Sequence, residues 1–196
     1  MTYQFASLKA QVPSFNPGNF FSFFTIQSNI LAAGVLLAAA VVRPEERTLL
    51  FDVLRGAATL YIAITGVVFA LLLAGLQESL DTHIVWVDFT VHKLMPIVVA
   101  ADWLLEPPRR RLPFWAALAW LAYPAAWFAY TLVRGAAEHW YPYPFVDAAR
   151  LGYGGVLGRG AILLAAFAAA AFAFVLTTRR GLRSGSPVPG SQRSLP

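Results

Sequence analysis

The chain has 196 residues, 58% of them hydrophobic and 13% charged, with a formal net charge of +5 and no cysteine. A soluble domain has too little interior for that much apolar surface, and a mean hydropathy of +0.60 places the chain among integral membrane proteins. The lack of cysteine excludes disulfides, thiolate catalysis and Cys-based zinc sites. The arginines gather in short loops and the tail, so the surplus charge reads as membrane topology, with no nucleic-acid partner expected.

Residues 1–19, MTYQFASLKAQVPSFNPGN, lack the basic and apolar regions of a signal peptide and read as an extracytoplasmic N-terminal segment. Long apolar runs follow at about 20–42, 56–76, 84–105, 113–133 and 156–178. Each is near the ~20 residues that a helix needs to cross a bilayer. The runs lack the period-two alternation of a barrel strand. The fold class is therefore all-α, a polytopic transmembrane helix bundle of five spans over residues 20–178. Residues 179–196, rich in Gly, Pro and Ser, read as a disordered basic tail.

Arg43, Arg47 and Arg55 fall in the first connector, Arg109, Arg110 and Arg111 in the third, and Arg179, Arg180 and Arg183 after the last span. The second connector has no Lys or Arg. The positive-inside tendency then puts connectors one and three and the C-terminus in the cytoplasm. Trp86, Trp103, Trp115, Trp140 and Tyr141 fit interfacial belts.

The first span opens FFSFFTIQSNIL and carries Thr25, Gln27, Ser28 and Asn29 among residues suited to lipid. Hydrocarbon penalises polar groups unless they are paired, solvated or used. The third span, WVDFTVHKLMP onward, brings Asp88 and His92 at i, i+4, on one helical face. A carboxylate one turn away can hold an imidazole's tautomer. By rise per residue, Thr25 and His92 both lie roughly 8–12 Å below the outer boundary, so they meet if their helices are neighbours. Pro96 cannot donate to the His92 carbonyl and should kink the helix. Asp102 lies roughly 15 Å deeper than His92 and is expected to pair with Arg109. Plainer readings stand beside these. Thr25 could bond back to its own backbone, Ser28 and Asn29 could join helices, and Asp88 and Lys93 could reach the interface. The segment HWYPYPFVD, stiffened by two prolines, is either an aromatic belt or a cap over an outer cavity. There is no GxSxG elbow, HExxH, Walker loop or GxGxxG, and three scattered histidines make no metal site.

FFSFFTIQSNIL, DFTVHKLMP followed by VVAADWLL, and WYPYPFVD, in that order, resemble a bacterial family of predicted six-span membrane proteins. That family is distantly similar to the androgen-induced gene 1 and androgen-dependent tissue-factor-pathway-inhibitor-regulating proteins of animals. The animal relatives are multipass hydrolases of fatty acid esters of hydroxy fatty acids, with a membrane Thr as nucleophile and a His as its partner. By motif position Thr25 matches that Thr and His92 that His, while Pro144-Phe145-Val146-Asp147 matches part of their Tyr-Pro-Phe-Leu-Glu segment. The animal proteins have Asn where Asp88 stands. The family has six spans against five here, so its first helix is expected either ahead of Met1 or missing.

The resemblance implies an intramembrane lipid esterase in the bacterial cytoplasmic membrane, its site in the outer-leaflet half. Thr25 and His92 would be catalytic, with Asp88, Asn29 and Ser28 supporting and Asn29 a candidate oxyanion donor. Pro96, Tyr143, Pro144, Phe145 and Asp147 would bind a fatty-acyl ester, with membrane lipids as partners and no cofactor or metal. Two alternatives remain: a proton-coupled carrier or channel using Asp88, His92 and Asp102, or a non-catalytic lipid-binding membrane protein. Oligomeric state has no sequence signal.

Overall fold

The computed structural model describes residues 1–77 and 84–180. Most of the expected tail, 181–196, lies outside the described residues, as does the connector that holds His83. All regular structure among the described residues is helical: α1 (Thr2–Gln11), α2 (Pro17–Ser22), α3 (Phe24–Val41), α4 (Leu49–Val68), α5 (Ala74–Gln77), α6 (Val85–Phe89), α7 (Met95–Leu105), α8 (Phe114–Glu138) and α9 (Ala148–Arg180). A π-helical turn, Phe69–Leu73, joins α4 to α5, and a second, Thr90–Leu94, joins α6 to α7. A 3-10 turn, Pro144–Val146, precedes α9.

Four helical stretches are long and apolar enough to cross a membrane: Phe24–Val41, Leu49–Leu73, Phe114–Glu138 and Ala148–Arg179. The protein is an all-α helical membrane bundle. The third expected span, 84–105, is realised as α6, the π turn and α7, pieces of 5, 5 and 11 residues. It is the most polar of the five runs, with Asp88, Lys93 and Asp102 along it.

Local chemistry explains several boundaries. Asn16 caps α2 by accepting from the Gly18 and Asn19 amides at 2.8 and 3.4 Å, with Pro17 in the first turn, where its missing N–H costs nothing. Thr48 caps α4 through the Phe51 amide at 3.2 Å. α8 ends on His139 in the left-handed region, φ 53°, and Gly152, φ 67°, bends α9 after its first turn.

The first span divides where the sequence gives no breaker. Phe23 is extended, φ −68° and ψ 126°, and separates α2 from α3. Contacts from α8 and the connector after it hold the break. Trp127 Nε1 donates to the Ser22 carbonyl at 2.9 Å, and Ser22 Oγ lies 2.9 Å from the Tyr130 hydroxyl.

α4 is the central helix, packed against α3, α7 and α9. Its Gly56 admits two indoles: a Cβ there would come within 2.3 Å of Trp120 and 3.1 Å of Trp103. Trp120 Nε1 donates to the Val53 carbonyl at 2.9 Å, and Trp103 Nε1 to Thr177 Oγ1 at 3.0 Å. Trp103 is thus a core residue with 0% exposure, not part of an interfacial belt; the belt reading overlooked that an indole with a paired N–H can be buried. Trp86 and Trp115 are exposed.

Two arginines of the first cluster, Arg47 and Arg55, are buried. Arg55, assigned to a connector from its charge, lies inside α4 at 1% exposure. Its Nε and Nη2 donate to Asp102 Oδ2 at 3.0 and 2.8 Å, and its Nη1 to the Glu106 carbonyl at 2.7 Å. Asp102 therefore pairs with Arg55 and not with Arg109, which binds the exposed Glu45 at 2.6 Å. Guanidinium planarity and the Trp103 ring, 5.6 Å away, suit Arg55 to the enclosed position.

Candidate functional site

The four polar residues of the first span are all engaged. Tyr123 donates to Gln27 Oε1, and Gln27 Nε2 donates to the Phe21 carbonyl at 2.7 Å. Ser28 Oγ donates to the Phe24 carbonyl at 2.7 Å and lies 3.2 Å from Thr65 Oγ1 on α4. Asn29 Nδ2 donates to the Thr25 carbonyl at 2.9 Å and to the Val91 carbonyl, across on the second π turn, at 3.4 Å.

The break at Phe23 sets Thr25 in the first turn of α3, where backbone N–H groups have no partner within the helix. Phe23 offers no capping side chain. The Tyr143 hydroxyl does the capping instead: it accepts from the Thr25 amide at 3.2 Å and lies 3.2 Å from Thr25 Oγ1. Burial pushes the Tyr143 phenol above its ordinary pKa, so it remains a neutral donor at physiological pH.

Thr25 and Tyr143 lie in the wall of a cavity of about 260 Å³ formed by α3, α4, α8, α9 and the 3-10 turn. The wall is almost wholly apolar; Thr65 adds a third hydroxyl. Phe145, stacked on Tyr143 at 5.1 Å between ring centroids, also lines it.

His92 lies in the second π turn, buried with Asp88. Its Nδ1 is 2.8 Å from Asp88 Oδ1. A carboxylate oxygen here suits the tautomer with the proton on Nδ1, in which Nε2 is the free acceptor. The ring stacks on Phe69 of the first π turn, 4.0 Å between centroids and 9° from parallel. π turns are rare and concentrate at functional sites; here two of them meet at one imidazole.

Among the described residues, Thr25 and His92 make no hydrogen bond to each other: the hydroxyl meets Tyr143, and the imidazole meets Asp88. The Asn29 amide nevertheless bridges the Thr25 carbonyl and the carbonyl of Val91, the residue before His92. That amide has two hydrogens, both committed to carbonyls, so Asn29 is not free to serve as an oxyanion donor. Ser28 is likewise committed, to α4 and its own helix.

Of the residues expected to bind substrate, Tyr143 and Phe145 line the cavity, and the other three do not. Pro96 packs against α4, where a Cβ on Gly66 would come within 2.8 Å of its ring. Pro144 is exposed. Asp147 caps α9 by accepting from the Arg150 amide at 3.1 Å. Thr65 and Phe69 had not been singled out; Thr65, polar within an apolar span, could have been sought as the partner for Ser28. Phe69 carries no signal in the sequence. Asp102 is tied to Arg55, whereas Asp88 meets His92.

No protein-family model, curated protein or solved structure matches the chain.

Proposed function

We propose that the protein is an intramembrane lipid esterase that hydrolyses fatty-acyl esters through Thr25 and His92. The observation that carries the reading is the Asn29 bridge. It joins the Thr25 carbonyl to the residue preceding His92, while Thr25 is part of the wall of an apolar cavity. A Thr hydroxyl is a weak nucleophile at its ordinary pKa and requires a base. When an ester carbonyl enters beside Thr25, Oγ1 exchanges Tyr143 for His92 Nε2; catalytic hydrogen bonds commonly tighten only in the substrate complex.

Thr25 Oγ1 then attacks the carbonyl carbon as its proton passes to His92 Nε2, with Asp88 stabilising the imidazolium through Nδ1. Tyr143, released from Oγ1, donates to the developing oxyanion in place of Asn29. The C–O bond to the alcohol breaks, and the alcohol leaves with the proton from His92. Water, deprotonated by His92, attacks the acyl-Thr25 carbonyl, and the carboxylic acid departs as Thr25 recovers its proton. The arginine-bearing connectors would face the cytoplasm of a bacterial cell, with this site toward the opposite leaflet. The resemblance of the Thr25, His92 and Tyr143–Asp147 motifs to those of the animal hydrolases supports the same chemistry.

A fluorophosphonate probe tests the nucleophile. The wild-type protein in detergent should be labelled at Thr25, and Thr25→Ala should abolish labelling. Equal labelling of the variant would remove Thr25 from the role.

A further inference from the structure

The cavity is not sealed. Ala125, Leu157, Ala161 and Leu164 line it and are also exposed on the outside of the bundle, Leu157 at 54%. All four belong to α8 or α9, so the opening lies along the seam between these two helices. Both helices are among those long and apolar enough to span a membrane, and the seam therefore faces lipid and not water.

Within the seam the Phe128 ring rests on Gly160. A Cβ at position 160 would come 2.6 Å from the ring tip. Gly160 has ordinary helical backbone, so its lack of a side chain is a packing requirement that leaves room for Phe128. Both residues line the cavity. Three hydroxyl-bearing residues, Thr25, Tyr143 and Thr65, also line it, outside the two helices of the seam. An almost wholly apolar cavity with a few hydroxyl-bearing residues in its wall matches a molecule with a hydrocarbon chain and one polar carbonyl group. The chain's own tail, GLRSGSPVPGSQRSLP, is too polar to fill such a cavity.

We propose that the α8–α9 seam is the binding site for a single long, unbranched acyl chain drawn sideways from the bilayer. Phe128 over Gly160 is the constriction that selects chain shape. The chain lies between α8 and α9, and its carboxyl or ester carbonyl reaches Thr25 and Tyr143. This deepens the esterase reading and rests on it only for the fate of the carbonyl; the acyl site itself requires no hydrolysis.

The test is photo-crosslinking of a diazirine-bearing palmitic acid to the full-length protein in nanodiscs, with crosslinks mapped by peptide mass spectrometry. The site predicts crosslinks within 125–128 and 157–164, competed by unlabelled palmitate. Gly160→Leu should lower their yield roughly tenfold, an affinity loss of about 1.4 kcal/mol. Phe128→Ala leaves packing space instead of filling it, and should raise the yield and admit a methyl-branched probe that the wild type rejects. Crosslinks mapping elsewhere, or a yield unchanged in both variants, would overturn the proposal. Thr25→Ala separates the two readings. Seam crosslinking kept in this variant, with no hydrolysis by the wild type, leaves the acyl site standing and removes the esterase.

Discussion

At Thr25 the backbone amide and the side-chain hydroxyl meet the same oxygen, that of Tyr143. One phenol thereby fixes the start of α3 and occupies the group proposed as nucleophile. The two tasks can be separated by Tyr143→Phe. Loss of the cap should lower stability by about 1 kcal/mol, the usual worth of a capping oxygen. Loss of an oxyanion donor should slow fluorophosphonate labelling of the still-folded protein by roughly 10²-fold. A variant that melts lower yet labels at the wild-type rate would show that Tyr143 only caps. Asp88 acts at the same scale: its contact with Nδ1 decides which imidazole nitrogen is basic, an option that the Asn of the animal proteins would provide only through its carbonyl oxygen.

At the scale of the element, the two π turns decide what meets what. A π turn fits an extra residue into a helical turn and rotates all that follows it. Phe69–Leu73 and Thr90–Leu94 do this on neighbouring rods, and Phe69 and His92 stack where the two turns meet. Close approach of α4 and α7 depends on Gly66, whose absent side chain leaves space for Pro96. Gly66→Ala should therefore cost about 1–3 kcal/mol through overpacking, despite the better helix propensity of Ala. Gly34 in α3 is the control. A Cβ there meets nothing within 4 Å, so Gly34→Ala should be neutral or slightly stabilising. Thermal melting in detergent would compare the two, and equal effects would contradict the packing argument.

At the scale of the molecule, the bundle is fastened differently at its two ends. One end carries ion pairs: Arg47 with Glu106 at 3.2 Å, Asp52 with Arg110 at 3.2 Å and Arg55 with Asp102 at 2.8 Å. The other carries phenols, amides and indoles around the break at Phe23. Arg55 is the most enclosed arginine of these pairs, at 1% exposure against 7% for Arg47, and removing its partner would leave a buried charge unpaired. Asp102→Ala should thus destabilise the fold by about 3 kcal/mol, read as a lowered melting temperature. Glu45→Ala, which breaks only the exposed contact with Arg109, should change stability by less than about 1 kcal/mol. If Asp102→Ala melted like the wild type, the pair would not be fastening the bundle.

The sequence by itself determined that this is a membrane-embedded helical protein, because lipid demands long apolar runs whose backbone bonds close within each segment. It also singled out Thr25, Asp88 and His92, since ionisable and hydroxyl groups stand out against hydrocarbon, and the i, i+4 spacing alone predicts the Asp88–His92 contact. Tertiary structure decided the rest. α4 starts at Leu49, ahead of its apolar run, because Arg55 finds partners inside the fold, which hydropathy does not register. The break at Phe23, the capping of α3 by Tyr143 and the commitment of Asn29 to two carbonyls each depend on residues more than sixty or a hundred positions away. Cavities belong to the same class: the space beside Thr25 exists because Gly160, Phe128 and Tyr143 converge from separate helices and turns, and no local pattern records that convergence.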